Sequence, residues 1–360
     1  MTFDIGGWVR TNKVFCIWAF FFGLVWLILI QKLFGLLFIT FILCFLFNKI
    51  INRLTRRLPV GRRVLTVLLY LVFIALVSII LSLVVPKLGS EAKHFALQLP
   101  KTEAKLHAYM DTLATEYPTL APPLATSKQF LSLKKIAGMD GDKLASIAVA
   151  SINQVMGFVS FFLLGTLFSF LILFDYPHLK ERFGALRHSR IQDFYLQTVD
   201  RVVQFGVFVG EGFKAQFLIS CCNTVLTAIG LWALGISPIV LLSVIVFTAG
   251  LIPVLGMLIS TLPIMLLAFN SGGVEKVVWA MGMVCVVHLF ETYVLNPRIF
   301  SAVFKISPVV TLIILFVAHH FAGLWGMILG VPVSVFIYRQ LIMCPWGTSA
   351  LDGDEDGPEG

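Results

Sequence analysis

Long apolar runs separated by short basic segments organise this chain. The runs are Val14 to Ile30, Leu33 to Phe47, Val64 to Val85, Val155 to Phe174, Phe217 to Ile236, Ile239 to Phe269, Val277 to Leu295 and Pro308 to Tyr338. Counting each once predicts about eight transmembrane helices, since a span needs about 20 predominantly apolar residues. The first two runs are short and nearly contiguous. They predict an uncleaved helical hairpin rather than a signal peptide, because no small-residue cleavage site follows the first. The runs at 239–269 and 308–338 hold 31 residues each. At 1.5 Å per residue they overshoot a hydrocarbon core of about 30 Å by roughly half. Each carries internal breakers: Gly250, Pro253, Gly256 and Pro263 in one, Gly323, Gly326, Gly330 and Pro332 in the other. Broken or re-entrant helices in the C-terminal half are therefore expected.

Between the third and fourth runs lies the one sizeable polar segment, Pro86 to Gln154. Its amphipathic stretches, with Leu88, Phe95 and Leu99 in one and Leu106, Tyr109, Met110 and Leu113 in the next, predict a small helical insert that extends the flanking spans. The segment 190–208 repeats Phe194, Thr198, Val202 and Phe205 on one side and Asp193, Gln197, Asp200 and Gln204 on the other. This spacing predicts an amphipathic helix on the inner membrane surface or on neighbouring helices. The expected organisation is thus N-terminal membrane helices over 1–85, an insert over 86–154, a transport core over 155–345 and a disordered acidic tail over 346–360.

Composition fixes the class. The chain is 58% hydrophobic and 13% charged, against about a quarter charged for an average soluble protein. Its mean hydropathy is +0.94. The net charge of +8 does not point to nucleic acid, because the basic residues sit at the ends of apolar runs. Lys49, Arg53, Arg56, Arg57, Arg62 and Arg63 form one acid-free cluster, and Lys180, Arg182, Arg187 and Arg190 another. The positive-inside rule places both clusters and both termini in the cytoplasm, and the insert outside. The six cysteines all lie in or beside apolar runs, as buried thiols would, rather than in the insert where a disulfide framework would be placed.

One position stands out chemically. Glu291 ends a long apolar stretch, where an intramembrane charge costs from ~2.5 to over ~10 kcal/mol. Such a residue is tolerated where it faces a bundle interior or a water-filled path. His288 lies one turn earlier on the same face, and Asn296, Pro297 and Arg298 follow. The transport reading makes Glu291 part of a gate, with His288 as a proton relay. The plainer reading makes it a snorkelling carboxylate or a structural partner of Arg298. The Gly250-Pro253-Gly256 break and the Gly330-Pro332 break are read either as parts of the path or as kinks relieved by neighbouring helices. His319-His320 has no further ligand type nearby for a metal, and no cofactor motif occurs. No zinc-protease, Walker A or nucleophile-elbow sequence is present. An enzyme is not expected, and transport would draw on a gradient. A scaffold or membrane-embedded enzyme without transport stays open as an alternative.

Three segments, GLIPVLG at Gly250 to Gly256, ETYVLNPRIF at Glu291 to Phe300 and HHFAGLWGMILGVPVSVF at His319 to Phe336, occur in an order that resembles the autoinducer-2 exporter, or PerM-type, family of bacterial permeases. The resemblance places the family's acid on Glu291, its proline on Pro297, its basic residue on Arg298 and its Gly-Pro break on Gly250, Pro253 and Gly256. The chain departs from the family pattern at His288, where Gln is usual, at Tyr293, where Asn is common, and at Ser301, where Gly is common. The resemblance implies an all-α, eight-helix permease of the bacterial inner membrane, moving a small molecule outward or exchanging sodium for protons. Together with the short first hairpin it also implies a homo-oligomer, a pentamer.

Overall fold

The computed structural model describes residues 33–120, 122, 159–185, 192–299 and 307–338. The first apolar run, most of the insert beyond Leu120 and the acidic tail lie outside the described residues. Those described are overwhelmingly helical, with no strand among them. Five helices are long and apolar enough to cross a membrane, or six if one bent pair counts as a span. The chain is an all-α polytopic membrane protein. Its surface agrees: Trp232, Phe316, Phe321 and Tyr293 are each more than 70% exposed, which is what side chains facing lipid require.

Helix α1 (Phe34–Thr55) carries the second apolar run. Helix α2 (Arg62–Glu116) has 55 residues, on the order of 80 Å, and so cannot end with the third run. It continues through Pro86 and Pro100 as the first part of the insert, as the amphipathic pattern predicts. Helix α3 covers Val159–Phe174 and α4 covers Tyr176–Ala185, bent by 68° at Asp175. The proline at 177 occupies the first turn of α4, where its missing N–H costs nothing.

Three helices close on one another through polar groups that lipid could not satisfy. The Tyr70 hydroxyl of α2 hydrogen-bonds the Ser169 hydroxyl of α3, and the Cys44 thiol of α1 donates to the same oxygen at 3.4 Å. At the basic end, Arg62 donates to Asn48 and Asn52 at 2.7 and 2.5 Å and stacks its guanidinium over Tyr176. Arg62 of the basic cluster therefore ties α1, α2 and α4 together.

Helix α5 (Gln192–Ala233) differs from expectation. The amphipathic segment at 190–208 is not a separate surface helix. From Gln192 it runs without interruption into the crossing expected from Phe217, because no Gly-Pro pair or turn signal divides them. Its apolar side packs on neighbours: Val209 lies with Phe38 and Ile42 of α1, and Phe205 meets Phe336 at 5.0 Å.

The two 31-residue runs are both interrupted. The first divides into α6 (Ile239–Gly250) and the start of α7 (Leu255–Phe290). Within α7, Gly272 and Gly273 leave helical geometry, and Gly273 has φ 65°, a conformation only glycine adopts without strain. The chain reverses there. Ile264 and Ala280 share one buried cluster, although a straight helix would hold them about 24 Å apart. The run 239–269 is thus a re-entrant hairpin, and 274–290 is the helix that follows it. Helix α8 (Pro308–Ile337), opened by the Ser307 cap and Pro308, reverses in the same way. Its break falls at Ala322 and Gly323 (φ 55°), not at Gly330-Pro332. Gly330 and Pro332 are helical, in the returning arm, where Gly330 lies against Ala318 of the outgoing one.

Candidate functional site

Four polar residues of α5, Gln216, Ser220, Asn223 and Thr227, recur at helical spacing and fall on one face. The α6–α7 hairpin packs against that face. The last turn of α6 leaves carbonyls without intrahelical partners, and α5 supplies donors to them. The Gln216 amide donates to the Gly250 carbonyl at 2.6 Å, and the Ser220 hydroxyl to the Phe247 carbonyl at 2.6 Å. Close approach at the hairpin tip depends on glycine. A Cβ at Gly256 would stand 2.7 Å from the Ala249 carbonyl oxygen and 2.8 Å from the Gly250 Cα. Beside it, Val254 is held at φ 66°, the one positive φ at a non-glycine residue among those described. For a β-branched side chain this is a strained conformation, costing about 1–3 kcal/mol, which persists only where surrounding structure imposes it.

The helix returning from Gly273 brings Glu291 to the same place. Glu291 opens a π-turn, Glu291–Leu295, in which the Asn296 N–H reaches the Glu291 carbonyl. Pro297 explains the widening: it has no N–H and its ring clashes with the carbonyl four residues back, so the regular ladder cannot continue through it. The Asn223 amide donates to Glu291 Oε2 at 2.8 Å, and His288 Nδ1 lies 3.8 Å from the same oxygen. Glu291 Oε1 has no protein partner among the described residues. Nor has the other end of the Asn223 amide: its Oδ1 is buried without a hydrogen bond.

These groups line one cavity of about 60 Å³. Its walls are Gln216, Asn223 and Thr227 from α5, Gly250, Gly256 and Ser260 from the hairpin, and His288 and Glu291 from the return helix, with apolar side chains between. The sequence-predicted residues thus divide. Glu291, His288, Gly250 and Gly256 meet at the cavity, and Pro253 sits in the break beside it. Asn296, Pro297 and Arg298 follow the π-turn outside the lining, and Arg298 is exposed with no ion pair to Glu291. Gly330 and Pro332 lie on the other hairpin and do not line the cavity, although Val331 between them packs against Ile252 of its wall.

Asn223 is the residue that sequence reasoning missed. The signal was present, since a lone amide in the run Phe217 to Ile236 with Gln216, Ser220 and Thr227 in register marks a polar stripe on a membrane helix. A second charged group sits apart from the cavity. Glu211 on α5 accepts from Lys49 of α1 at 2.9 Å and from Lys214 at 3.1 Å. The three side chains are each about half exposed and join α1 to α5.

Residues 15–343 match the model of the AI-2E family of transporters. Among relatives, YdbI of Bacillus subtilis, a candidate transport protein, is 32% identical over 54% of this chain and 53% of its own length. YhhT of Escherichia coli K12, another candidate transport protein, is 24% identical over 77% of this chain and 74% of its own. A sodium-lithium/proton antiporter of Halobacillus andaensis is 25% identical over 64% and 61%. The chain therefore spans about half the length of the first of these relatives and up to three quarters of the others. No solved structure shows a significant match. A strained break in a re-entrant hairpin, an intramembrane carboxylate and a family match over nine tenths of the residues lead to one assignment: the chain belongs to the AI-2E family of membrane transporters.

Proposed function

We propose that this chain is a gradient-driven permease whose transported species passes the tip of the α6–α7 hairpin beside Glu291. One observation carries the reading: a carboxylate, a strained helix break and the polar face of α5 converge on a single cavity within otherwise apolar helices. Gly- and Pro-interrupted membrane segments are where transporters build substrate sites, because unwound backbone is tolerated only where it is buried in protein or lines a cavity. The sequence has no nucleotide-binding motif, so a gradient supplies the driving force. Positive-inside topology puts both termini in the cytoplasm, and the family resemblance supports a homo-oligomer in the bacterial inner membrane.

Two substrate classes follow from the family: a small signalling molecule moved outward, or sodium exchanged for protons. The cavity volume favours the second. About 60 Å³ accommodates an ion or a few waters, whereas drug-sized ligands occupy pockets of about 300–1,000 Å³. A metabolite would need the hairpin to swing away from α5, breaking the bonds from Gln216 and Ser220. The likeness to the Halobacillus antiporter points the same way. Flux in proteoliposomes decides, with sodium and lithium gradients, proton gradients and a panel of labelled small metabolites run side by side. Sodium-driven proton movement that requires Glu291 is the expected result. Metabolite flux without ion dependence would return the exporter reading, and no flux of either kind would sink the permease.

A further inference from the structure

We propose that residues 53–61 and helix α4 together form a docking surface for the phosphate headgroups of anionic phospholipids. The surface is separate from the cavity at Glu291 and holds whatever the permease carries. Of the six cations between Lys49 and Arg63, three are engaged within the protein. Lys49 pairs with Glu211 at 2.9 Å. Arg62 donates to Asn48 and Asn52 and stacks on Tyr176. Arg63 meets His178 Nε2 at 3.0 Å and lies over the Phe174 ring. Arg53, Arg56 and Arg57 are exposed, and their side chains have no hydrogen bond or ion pair among the described residues. Three guanidinium groups in an acid-free segment thus remain for an outside anion, and their planar donor forks fit phosphate oxygens.

Helix α4 extends the same surface. It leaves the spanning helix α3 at 68°, which turns it toward the membrane plane. The contacts of Arg62 and Arg63 with Tyr176 and His178 fix its start beside the basic loop. Tyr176, Leu179 and Phe183 recur at helical spacing as one apolar stripe. Lys180 and Arg182 flank that stripe on either side, while Glu181 falls opposite it. An apolar stripe edged by long basic side chains is the pattern of a helix lying in the headgroup region, stems along the acyl boundary and charges toward phosphate.

The apolar side chains decide between a lipid and a free anion. Leu58 and Val60, in the loop between Arg57 and Arg62, are exposed, and so is Phe183 on α4. A soluble phosphate gives them nothing to contact, whereas a phospholipid sets acyl chain directly beneath its phosphate. Positive-inside topology turns the surface toward the cytoplasmic leaflet, where anionic lipids attract basic clusters next to a membrane helix.

The full-length protein reconstituted in phosphatidylcholine vesicles tests the surface. Trace spin-labelled phosphatidylglycerol or phosphatidylcholine reports, by electron spin resonance, the fraction of each lipid immobilised against protein. A severalfold preference for phosphatidylglycerol that weakens as sodium chloride is raised is the expected result. Substituting Arg53, Arg56 and Arg57 together by Gln should remove most of it, since a cation near an anionic surface contributes about fivefold. The same three positions changed to Lys should keep most of it. Lys180→Gln with Arg182→Gln should lower the preference while leaving the loop intact, which covers failure of the triple variant to insert. Phe183→Ser should lower it without removing charge. Equal immobilisation of the two lipids, or an unchanged preference in the loop and α4 charge variants, would overturn the proposal. So would inorganic phosphate abolishing the preference where chloride of equal ionic strength does not, because the surface would then serve a free anion.

Discussion

Glu91 and Leu241 are 150 residues apart, yet Glu91 Oε2 accepts a hydrogen bond from the Leu241 N–H at 2.7 Å. Leu241 is in the first turn of α6, and the residue before that helix, Pro238, offers no side-chain cap. The carboxylate on the extended arm of α2 therefore caps the re-entrant hairpin from outside it, where the helix dipole also favours a negative charge. The same arm holds the far turn of the hairpin: Lys105 donates to Asn270 at 3.3 Å, Asn270 donates to Gln98 at 3.4 Å, and Tyr109 meets Phe269 edge-on. Both outer ends of the hairpin are thus tethered to one helix.

This cap makes a prediction. Glu91→Ala should lower stability by about 1 kcal/mol, the usual scale for losing an N-cap. Glu91→Gln, which keeps an acceptor but no charge, should lose less. Thermal unfolding in detergent reads both, and equal midpoints for alanine and wild type would show that the cap contributes nothing.

Glu291→Gln keeps size and hydrogen bonding while removing the titrating charge. Flux should fall strongly, with membrane insertion and thermal midpoint near wild type. Arg298 is exposed and shares no partner with Glu291, so Arg298→Gln should combine additively with it. A double variant less damaged than the sum would reveal a pairing formed in another state of the transport cycle.

Two glycines of α7 offer a controlled comparison. Gly256→Ala drives a methyl into backbone atoms of residues 249 and 250, which cannot move aside as a side chain would, and should cost about 1–3 kcal/mol. A methyl added at Gly282 would meet nothing within 4 Å, and Gly282→Ala should be neutral or stabilise by up to about 1 kcal/mol through helix propensity. Midpoints in detergent for the two variants should therefore move in different directions or by clearly different amounts. Similar shifts would mean that the hairpin tip is looser than its contacts imply.

Topology is checked with cysteines at two exposed positions, Arg57 and Lys101. An impermeant thiol reagent should reach Lys101→Cys from outside intact cells and Arg57→Cys only from the cytoplasmic side, as the basic cluster at Lys49 to Arg63 demands. Labelling of Lys101→Cys from the cytoplasm alone would invert the arrangement.

The sequence by itself determined the class of this protein, because hydropathy and charge act one residue at a time. Apolar runs of sufficient length must enter the bilayer, and Glu291, isolated among them, had to face something other than lipid. The amphipathic start of the insert was legible as an extension of α2 for the same reason. So was the break near Pro253, since Gly and Pro act on their own backbone wherever they occur. Only the tertiary structure decided the rest. An apolar run reads alike whether it spans once or folds back, because lipid and protein interior are equally apolar to it. The reversals at Gly273 and Gly323 therefore had to be seen in three dimensions. The partner of Glu291 was a choice between Arg298, seven residues away, and Asn223, sixty-eight away. Helix packing settled it by bringing the polar face of α5 to the π-turn and leaving the arginine outside.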